Sequence, residues 1–152
     1  MGNSFDLDEM DRTILRSLRQ SARMNLQEMS RISGISDATL QFRLKRMKAN
    51  GVIEQFPITA NPAATGYTVT AIMLVQTDAE RRDNAVMSLA KIPEITEVYG
   101  VLGEYDLFLK VWSRSLEELN TIINDRIRSI DGIEDLLEIV VVERVKEETP
   151  PV

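Results

Sequence analysis

The chain has 152 residues, enough for one medium domain or two small ones, and its 43% apolar and 28% charged residues are ordinary for a globular protein. It contains no cysteine and no histidine, which excludes disulfides, thiolate metal sites, Ser-His-Asp triads and imidazole acid–base chemistry. The longest clean apolar run, 71–75, is far too short to span a membrane, and no signal-peptide pattern opens the chain. We therefore expect a cytoplasmic protein without catalytic residues, metal or cofactor.

The net charge of −6 is unevenly distributed along the chain. Residues 1–58 carry nine basic and seven acidic side chains, whereas residues 59–152 carry nine basic and seventeen acidic ones. Between Arg12 and Lys48 the basic excess reaches +7. A basic segment on an acidic chain predicts a polyanion-binding module joined to a second unit. A solvated helical face is the alternative interpretation.

Three helices are predicted in the N-terminal third. The first begins after Asp8, where several acidic residues suit the positive end of the helix dipole. The second begins after Asn25, with a glutamate at the capping-box position, and ends at Gly34. The third is capped by Ser36 and stops at 50–51. A short hairpin, 52–53 with 56–58, is expected to follow it as a small β-wing.

The second and third predicted helices, joined by a tight turn, form the helix-turn-helix arrangement. In that arrangement the later helix enters the major groove of double-stranded DNA and presents its exposed side chains to base edges. The candidate DNA-binding residues are Ser36, Asp37, Ala38, Thr39, Gln41, Phe42, Arg43, Lys45, Arg46 and Lys48. A helical bundle that contacts only proteins is the alternative.

A linker is expected at 60–66, followed by two copies of a strand–helix–strand unit. The predicted elements are a strand at 67–77, a helix at 81–91, strands at 95–102 and 106–112, a helix at 115–128 and a strand at 136–145. This β-α-β-β-α-β order is the ferredoxin-like arrangement. The expected fold class is therefore α+β, with an N-terminal winged helix-turn-helix domain at 1–59, a C-terminal ferredoxin-like domain at 67–146 and a tail at 147–152.

The predicted strands carry apolar residues on both faces, such as Leu107, Leu109 and Val111 against Phe108 and Trp112. Because the helices cover only one face, something else must cover the second. The simplest cover is the same sheet of another subunit, related by a two-fold axis. The alternative is that Phe108 and Trp112 line a ligand site. A dimer would present two recognition helices to half-sites about one turn of DNA (~34 Å), or a multiple of it, apart.

The run GISDATLQFRLKRMKANGVI at 34–53, with DEMDRTILRSLRQSARM before it and Asn61, Pro62 and Gly66 after it, resembles the Lrp/AsnC family of transcription regulators. The resemblance covers roughly 7–146. It implies a DNA-binding regulator that forms homodimers, often assembled into tetramers or octamers. Arg43 occupies the position of the family's typical recognition-helix arginine. Phe42 and Lys48 depart from the family pattern, which bears on the operator sequence rather than on the activity.

The motif VLGEYD at 101–106 resembles the family's Gly-x-Tyr-Asp loop, which helps to hold a small effector, commonly an amino acid, where dimers meet. The candidate effector-binding residues are Gly103, Glu104, Tyr105 and Asp106. Backbone N–H groups around a glycine turn can bind a carboxylate, and Asp106 or Glu104 can bind an ammonium group. The alternative is a plain hairpin turn in which Asp106 is a capping acid.

Two other functions compete with the regulator. Sirohaem decarboxylases resemble the family in fold, but their haem-type chemistry depends on histidines, which this chain lacks. A metabolite sensor without DNA binding would not need the basic residues of the third helix, Arg43, Lys45, Arg46 and Lys48.

Overall fold

The computed structural model of the chain describes residues 5–21, 23–56 and 59–151. The chain divides into two compact units, one of Met1–Thr59 with Glu148–Val152 and the other of Ala60–Glu147. The first is helical, and the second contains a four-stranded antiparallel sheet with helices. The expected α+β class, with a helix-turn-helix unit followed by a ferredoxin-like unit, is confirmed.

The first unit contains three helices, α1 (Glu9–Gln20), α2 (Leu26–Ser33) and α3 (Asp37–Ala49). The predicted N-caps Asn25 and Ser36 are confirmed, since each side chain accepts a hydrogen bond from a backbone N–H in the first turn. Asp8 caps α1 in the same way, a role that the dipole argument did not predict. Gly34 ends α2 with a φ of 71°, a left-handed conformation that glycine adopts at little cost. The helices therefore meet where the sequence pattern predicts the turn.

The core of this unit is small and apolar. It is formed by the buried side chains of Ile14, Met29, Ile35, Leu40, Met47 and Ile53. Each of the three helices contributes to it, so the core holds α1, α2 and α3 together. At about 25 cal/mol per Å² of apolar surface, burial of such side chains is the main driving force for this packing.

The predicted first strand of the wing is wrong. The N–H groups of Val52 and Ile53 both donate to the carbonyl of Met47, at 2.9 and 3.3 Å, and so close the C-terminus of α3. Amides used in this way cannot join a strand ladder, and residues 51–56 contain no strand. Pro57 and Ile58, in the predicted second strand of the hairpin, lie outside the described residues.

The second unit starts with a short 3₁₀ turn and continues as an antiparallel sheet with two helices. Its elements are the 3₁₀ turn Ala63–Thr65, β1 (Val69–Thr77), α4 (Arg82–Leu89), β2 (Ile95–Gly100), β3 (Leu107–Ser113), α5 (Leu116–Thr121, continuing as a π-turn over Ile122–Ile127) and β4 (Ile133–Val140). The strand order is β2-β3-β1-β4. No helix in the described part of the chain is long and apolar enough to cross a bilayer.

The last strand is displaced from its predicted range of 136–145. Among the described strands it pairs with β1, and the ladder runs from Ile133 opposite Thr77 to Val140 opposite Ala71. Val141 then donates to the carbonyl of Thr70. Because β1 begins at Val69, it offers at most one further position, so the ladder cannot reach the predicted end although the apolar sequence continues.

The two faces of the sheet differ in burial, as the alternating pattern predicts. On the helix side, Ala71, Met73, Val75, Leu107, Leu109 and Val111 are buried with α4 and α5. On the other side Phe108 and Trp112 are only half-buried. Leu137, Ile139 and Tyr99 on that side are about half exposed, at 42%, 46% and 54%. We call this second side the open face.

Candidate DNA-binding surface and effector loop

One side of α3 is exposed to solvent, and we call it the groove face. Its members among the candidate residues are Asp37, Ala38, Gln41, Phe42, Lys45 and Lys48. They recur at the spacing that places residues on one stripe of a helix. Phe42 is 66% exposed, which is unusual for so large an apolar side chain. The predicted exposure of these six residues is confirmed.

The two candidates at the start of the helix have a structural role. The hydroxyl of Ser36 accepts the N–H of Thr39 at 3.3 Å and lies 2.9 Å from the hydroxyl of Thr39. These contacts fix the first turn of α3, the part of a recognition helix that approaches the bases. Ser36 is exposed and Thr39 is half-buried.

Arg43 and Arg46, predicted to be exposed on α3, turn toward α1 instead. Nη1 of Arg43 lies 2.6 Å from Oδ2 of Asp8 and 2.8 Å from Oδ1 of Asp11. Nη2 of Arg46 lies 2.8 Å from Oδ2 of Asp11. Only 18% of the Arg43 side chain is exposed. The prediction that these side chains are exposed is therefore wrong for Arg43, whereas 36% of the Arg46 side chain remains exposed beside its contact with Asp11.

The reason lies in the carboxylate of Asp11, whose side chain is fully buried. A buried charge is tolerated only when it is paired and hydrogen-bonded. Each oxygen of this carboxylate has an arginine partner, and Oδ2 also accepts the N–H of Asp8 at 3.3 Å. Arg43 and Arg46 therefore neutralise a buried carboxylate within the unit, although basic residues on this helix were expected to contact DNA.

A sequence signal for this network exists. Asp8 and Asp11 are three residues apart on α1, and Arg43 and Arg46 are three residues apart on α3. Side chains at this spacing lie on one face of a helix, so two such pairs can face each other. From the sequence, these acids are expected only to suit the helix dipole, and their pairing with the arginines is not predicted.

The contact between Asp8 and Arg43 favours the charged form of both groups. The hydrogen bond from Arg43, with the backbone N–H of Asp11, holds the pKa of Asp8 below its ordinary value. The hydrogen bonds to Asp8 and then Asp11 raise the pKa of Arg43. Arg46 also packs over the ring of Phe5, 4.8 Å from its centre.

The predicted effector loop lies between β2 and β3, and its acidic end is engaged in the fold. Oδ2 of Asp106 accepts the N–H of Thr77 at 2.7 Å and lies 3.1 Å from the hydroxyl of the same threonine. The backbone bond from Thr77, followed by its hydroxyl, lowers the pKa of Asp106. This geometry is that of the capping acid considered above, and it commits one carboxylate oxygen of Asp106.

The rest of the loop is open. Gly103 has a φ of 156°, and the side-chain amide of Gln76 donates to the carbonyl of Glu104 at 2.8 Å. Glu104 is exposed, and Tyr105 is half-buried. Residues 103–106 are thus close together in sequence and space, but only Glu104 presents an exposed carboxylate.

A cation beside this loop was missed by the sequence analysis. A Cβ built on Gly100 would lie 2.8 Å from Nη2 of Arg82, so the guanidinium lies directly over the glycine. Arg82 also contributes to the lowered pKa of Asp106. No local pattern signals this approach, because β2 and α4 bring the two residues together. Within the described residues, no cluster of three or more acidic side chains could hold a metal ion.

Comparison with known proteins identifies both units. The family model for winged helix-turn-helix DNA-binding matches residues 7–54, and that for the Lrp/AsnC ligand binding domain matches residues 70–151. The HTH-type transcriptional regulator FL11 of Pyrococcus furiosus is 36% identical over 143 residues, 94% of each chain.

Solved structures agree. E. coli AsnC superposes with a TM-score of 0.92 at 29% identity, over 97% of this chain and 100% of AsnC. A transcriptional regulator from Neisseria meningitidis, solved as an L-Met complex, has a TM-score of 0.91 at 23% identity over 95% of each chain. An exposed helix-turn-helix joined to an α+β unit of this order defines a DNA-binding transcription regulator. The chain belongs to the Lrp/AsnC family of these regulators.

Removal of the Asp11 carboxylate should destabilise the helix-turn-helix unit. Asp11→Ala leaves Arg46 without its carboxylate partner, and breaking a buried ion pair costs about 3 kcal/mol or more. Glu9→Ala removes an exposed ion pair with Arg16 and should cost less than about 1 kcal/mol. Urea unfolding followed by the helical circular dichroism signal measures both. Equal losses for the two variants would show that the buried network does not hold the unit together.

Acid should destabilise the second unit through Asp106. Because its pKa is lowered in the folded state, its contribution is present above the unfolded value near 3.9 and is lost as pH falls through the folded value. Trp112 is the only tryptophan, so its fluorescence reports unfolding of this unit. We expect the urea midpoint to fall between about pH 5 and pH 2.5, and less steeply in Asp106→Asn. Asp135→Asn, which removes one exposed carboxylate, controls for net charge. An unchanged slope in Asp106→Asn would contradict this assignment.

Proposed function

We propose that this protein is a sequence-specific regulator that binds operator DNA as a homodimer or larger assembly and responds to an amino acid or a related metabolite. The observation that carries the proposal is the groove face of α3, an exposed and partly basic helix face positioned by buried ion pairs. A regulator of this kind acts in the cytoplasm, where DNA and the amino-acid pool meet.

The DNA contacts divide into two groups. We assign the groove face, with the first turn at Ser36 and Thr39, to contact with DNA. Lys45 and Lys48 supply positive charge to phosphates, which fixes position but carries no sequence information. Arg43 and Arg46 lie on the side of α3 that faces α1, and they position α3 through their contacts with Asp8 and Asp11.

Selection of duplexes from random DNA at moderate salt tests the proposal. We expect enrichment of two related half-sites about one helical turn, ~34 Å, or a multiple of it, apart. Lys45→Ala should weaken binding to all sequences and reduce the salt dependence, because it removes a phosphate contact. If no selected duplex bound better than bulk DNA, the regulator would not be sequence-specific.

The open face supports the proposed dimer. Leu137, Ile139 and Tyr99 leave apolar surface exposed there, and a single sheet face of this kind is covered in stable proteins. Lys110, on the same face, is 12% exposed and already paired with Glu97 and Glu147. A partner therefore does not have to supply an acid, which suits a second copy of the same apolar surface.

Ile139→Asp should break this assembly. A carboxylate at the interface would be desolvated without a partner, so the mass measured by light scattering should fall to that of a single chain. Met87→Asp, on α4 at 62% exposure, adds the same charge on a helix and should leave the mass unchanged. The unaltered chain should have a mass of two, four or eight chains. If Ile139→Asp is still dimeric, the interface does not lie on the open face.

The loop at 103–106 is our proposed effector site, with a revised division of roles. Asp106 holds the loop against the end of β1, whereas exposed Glu104 is available for an ammonium group. N–H groups around Gly103, with the nearby guanidinium of Arg82, suit a carboxylate. An amino acid carries both charges. A related regulator from Neisseria meningitidis was solved with L-Met, which supports this class of ligand.

Calorimetric titration of the twenty amino acids tests the effector site. At least one should bind, and Glu104→Gln should weaken it by about 5- to 30-fold, because a charge-assisted hydrogen bond is worth about 1–2 kcal/mol more than its neutral replacement. Glu134→Gln removes an exposed acid on β4 and should bind as the unaltered chain does. If none of the twenty amino acids binds, or if Glu104→Gln binds one equally well, the segment is only a hairpin turn and the effector site is contradicted.

We propose no catalysis, metal or cofactor for this chain. Its relatives are named as transcription regulators, and it has no histidine for haem-type chemistry. A stoichiometric haem absorbance band in the purified protein would support the decarboxylase alternative instead.

A further inference from the structure

The position of Arg43 determines which side chains of α3 can reach the bases. Successive residues of an α-helix are rotated by 100°, so Arg43 lies roughly 160° around α3 from Lys45. The two side chains cannot face the same groove together. Since Lys45 is exposed and Arg43 is bound to Asp8 and Asp11, the face available to DNA is the one that contains Lys45.

The centre of that face carries a small side chain, and a polar and an aromatic side chain lie on either side of it. Ala38 lies two helical turns before Lys45 on the same stripe, and its methyl group allows a close approach of the helix to the floor of the groove. Gln41 and Phe42 lie on either side of this line. All three are exposed.

Phe42 lies outside the core that the described residues of this unit form. Its ring is 66% exposed, and it is absent from the apolar side chains that pack on the core in the described part of the unit. In the major groove the apolar group that a side chain can contact is the 5-methyl group of thymine. A phenyl ring at this position therefore favours thymine over cytosine.

Gln41 complements this preference. A glutamine amide donates and accepts at once, and its bidentate partner in the major groove is adenine, through N7 and the 6-amino group. An arginine or lysine would instead favour guanine, and the neighbouring Arg43 is turned toward α1. The two exposed side chains beside Ala38 thus favour A·T pairs.

We infer that Gln41 and Phe42 set the base specificity of this regulator, reading an adenine and a thymine methyl in each half-site, while Arg43 acts as a positioning residue that contacts no base. The inference rests on the proposed DNA binding through α3. The competing arrangement, in which Arg43 leaves α1 to read a guanine, removes a partner from the fully buried carboxylate of Asp11.

The test uses the full chain and a duplex obtained by selection from random DNA. Thymines of each half-site are replaced one at a time by deoxyuridine, which deletes only the methyl group. At one position this should weaken binding about fourfold, the effect of one buried methyl group. The ratio of the affinities for the thymine duplex and the deoxyuridine duplex should fall to about one in Phe42→Ala. Ile32→Ala, which truncates an apolar side chain 57% exposed on α2, should keep the ratio.

Gln41 is tested in the same way with 7-deazaadenine, which replaces the N7 acceptor by a C–H. One adenine should show a loss of roughly fivefold, and Gln41→Ala should abolish that difference. Arg43→Lys keeps a cation beside Asp8 and Asp11. It should leave the affinity ratios of the thymine and adenine tests unchanged, whatever its effect on overall affinity. Circular dichroism shows whether each variant is folded.

The outcomes separate this inference from the function on which it rests. If no duplex is enriched, the regulator itself fails and the inference fails with it. If duplexes are enriched but Phe42→Ala and Gln41→Ala keep both ratios, the DNA binding stands and the inference is overturned. A half-site that requires guanine, with the requirement lost in Arg43→Lys, would likewise assign base reading to Arg43.

Discussion

The buried carboxylate of Asp11 is the interaction on which the helix-turn-helix unit depends. It joins the first turn of α1 to the middle of α3 through Arg43 and Arg46, with no solvent access of its own. Apolar contacts among Ile14, Leu40 and their neighbours bring the helices together but are not directional. The charge pairing is directional, and it fixes the rotation of α3 about its axis. That rotation decides which residues DNA meets.

A second constraint acts on the α+β unit. Its sheet buries one face under α4 and α5 and leaves apolar side chains on the open face, including Leu137 and Ile139. The chain thus carries one surface suited to DNA and another suited to a copy of itself. Operators with paired half-sites suit proteins with two-fold symmetry, so under the proposed function the two surfaces act together.

Local rules predict much of this structure from sequence, because caps, turns and alternation depend on near neighbours. The sequence predicts the cap at Asn25, the helix end at Gly34 and the two-sided strands in this way, and all three are confirmed. The errors concern distant partners: Arg43 is turned inward by acids thirty-two or more residues away, and β4 ends near the start of its partner β1. The expected role of Asp106 as a ligand for an ammonium group was likewise limited by its contact with Thr77, which only the paired strands create.

The crystal structure of the protein on its selected operator tests the central claim most directly, because it shows where Arg43 and Phe42 point when DNA is bound. The account predicts that Arg43 keeps its contacts with Asp8 and Asp11 and that the Phe42 ring contacts a thymine methyl group at about 4 Å. An Arg43 released from α1 and hydrogen-bonded to a guanine, with Phe42 away from the bases, would contradict it.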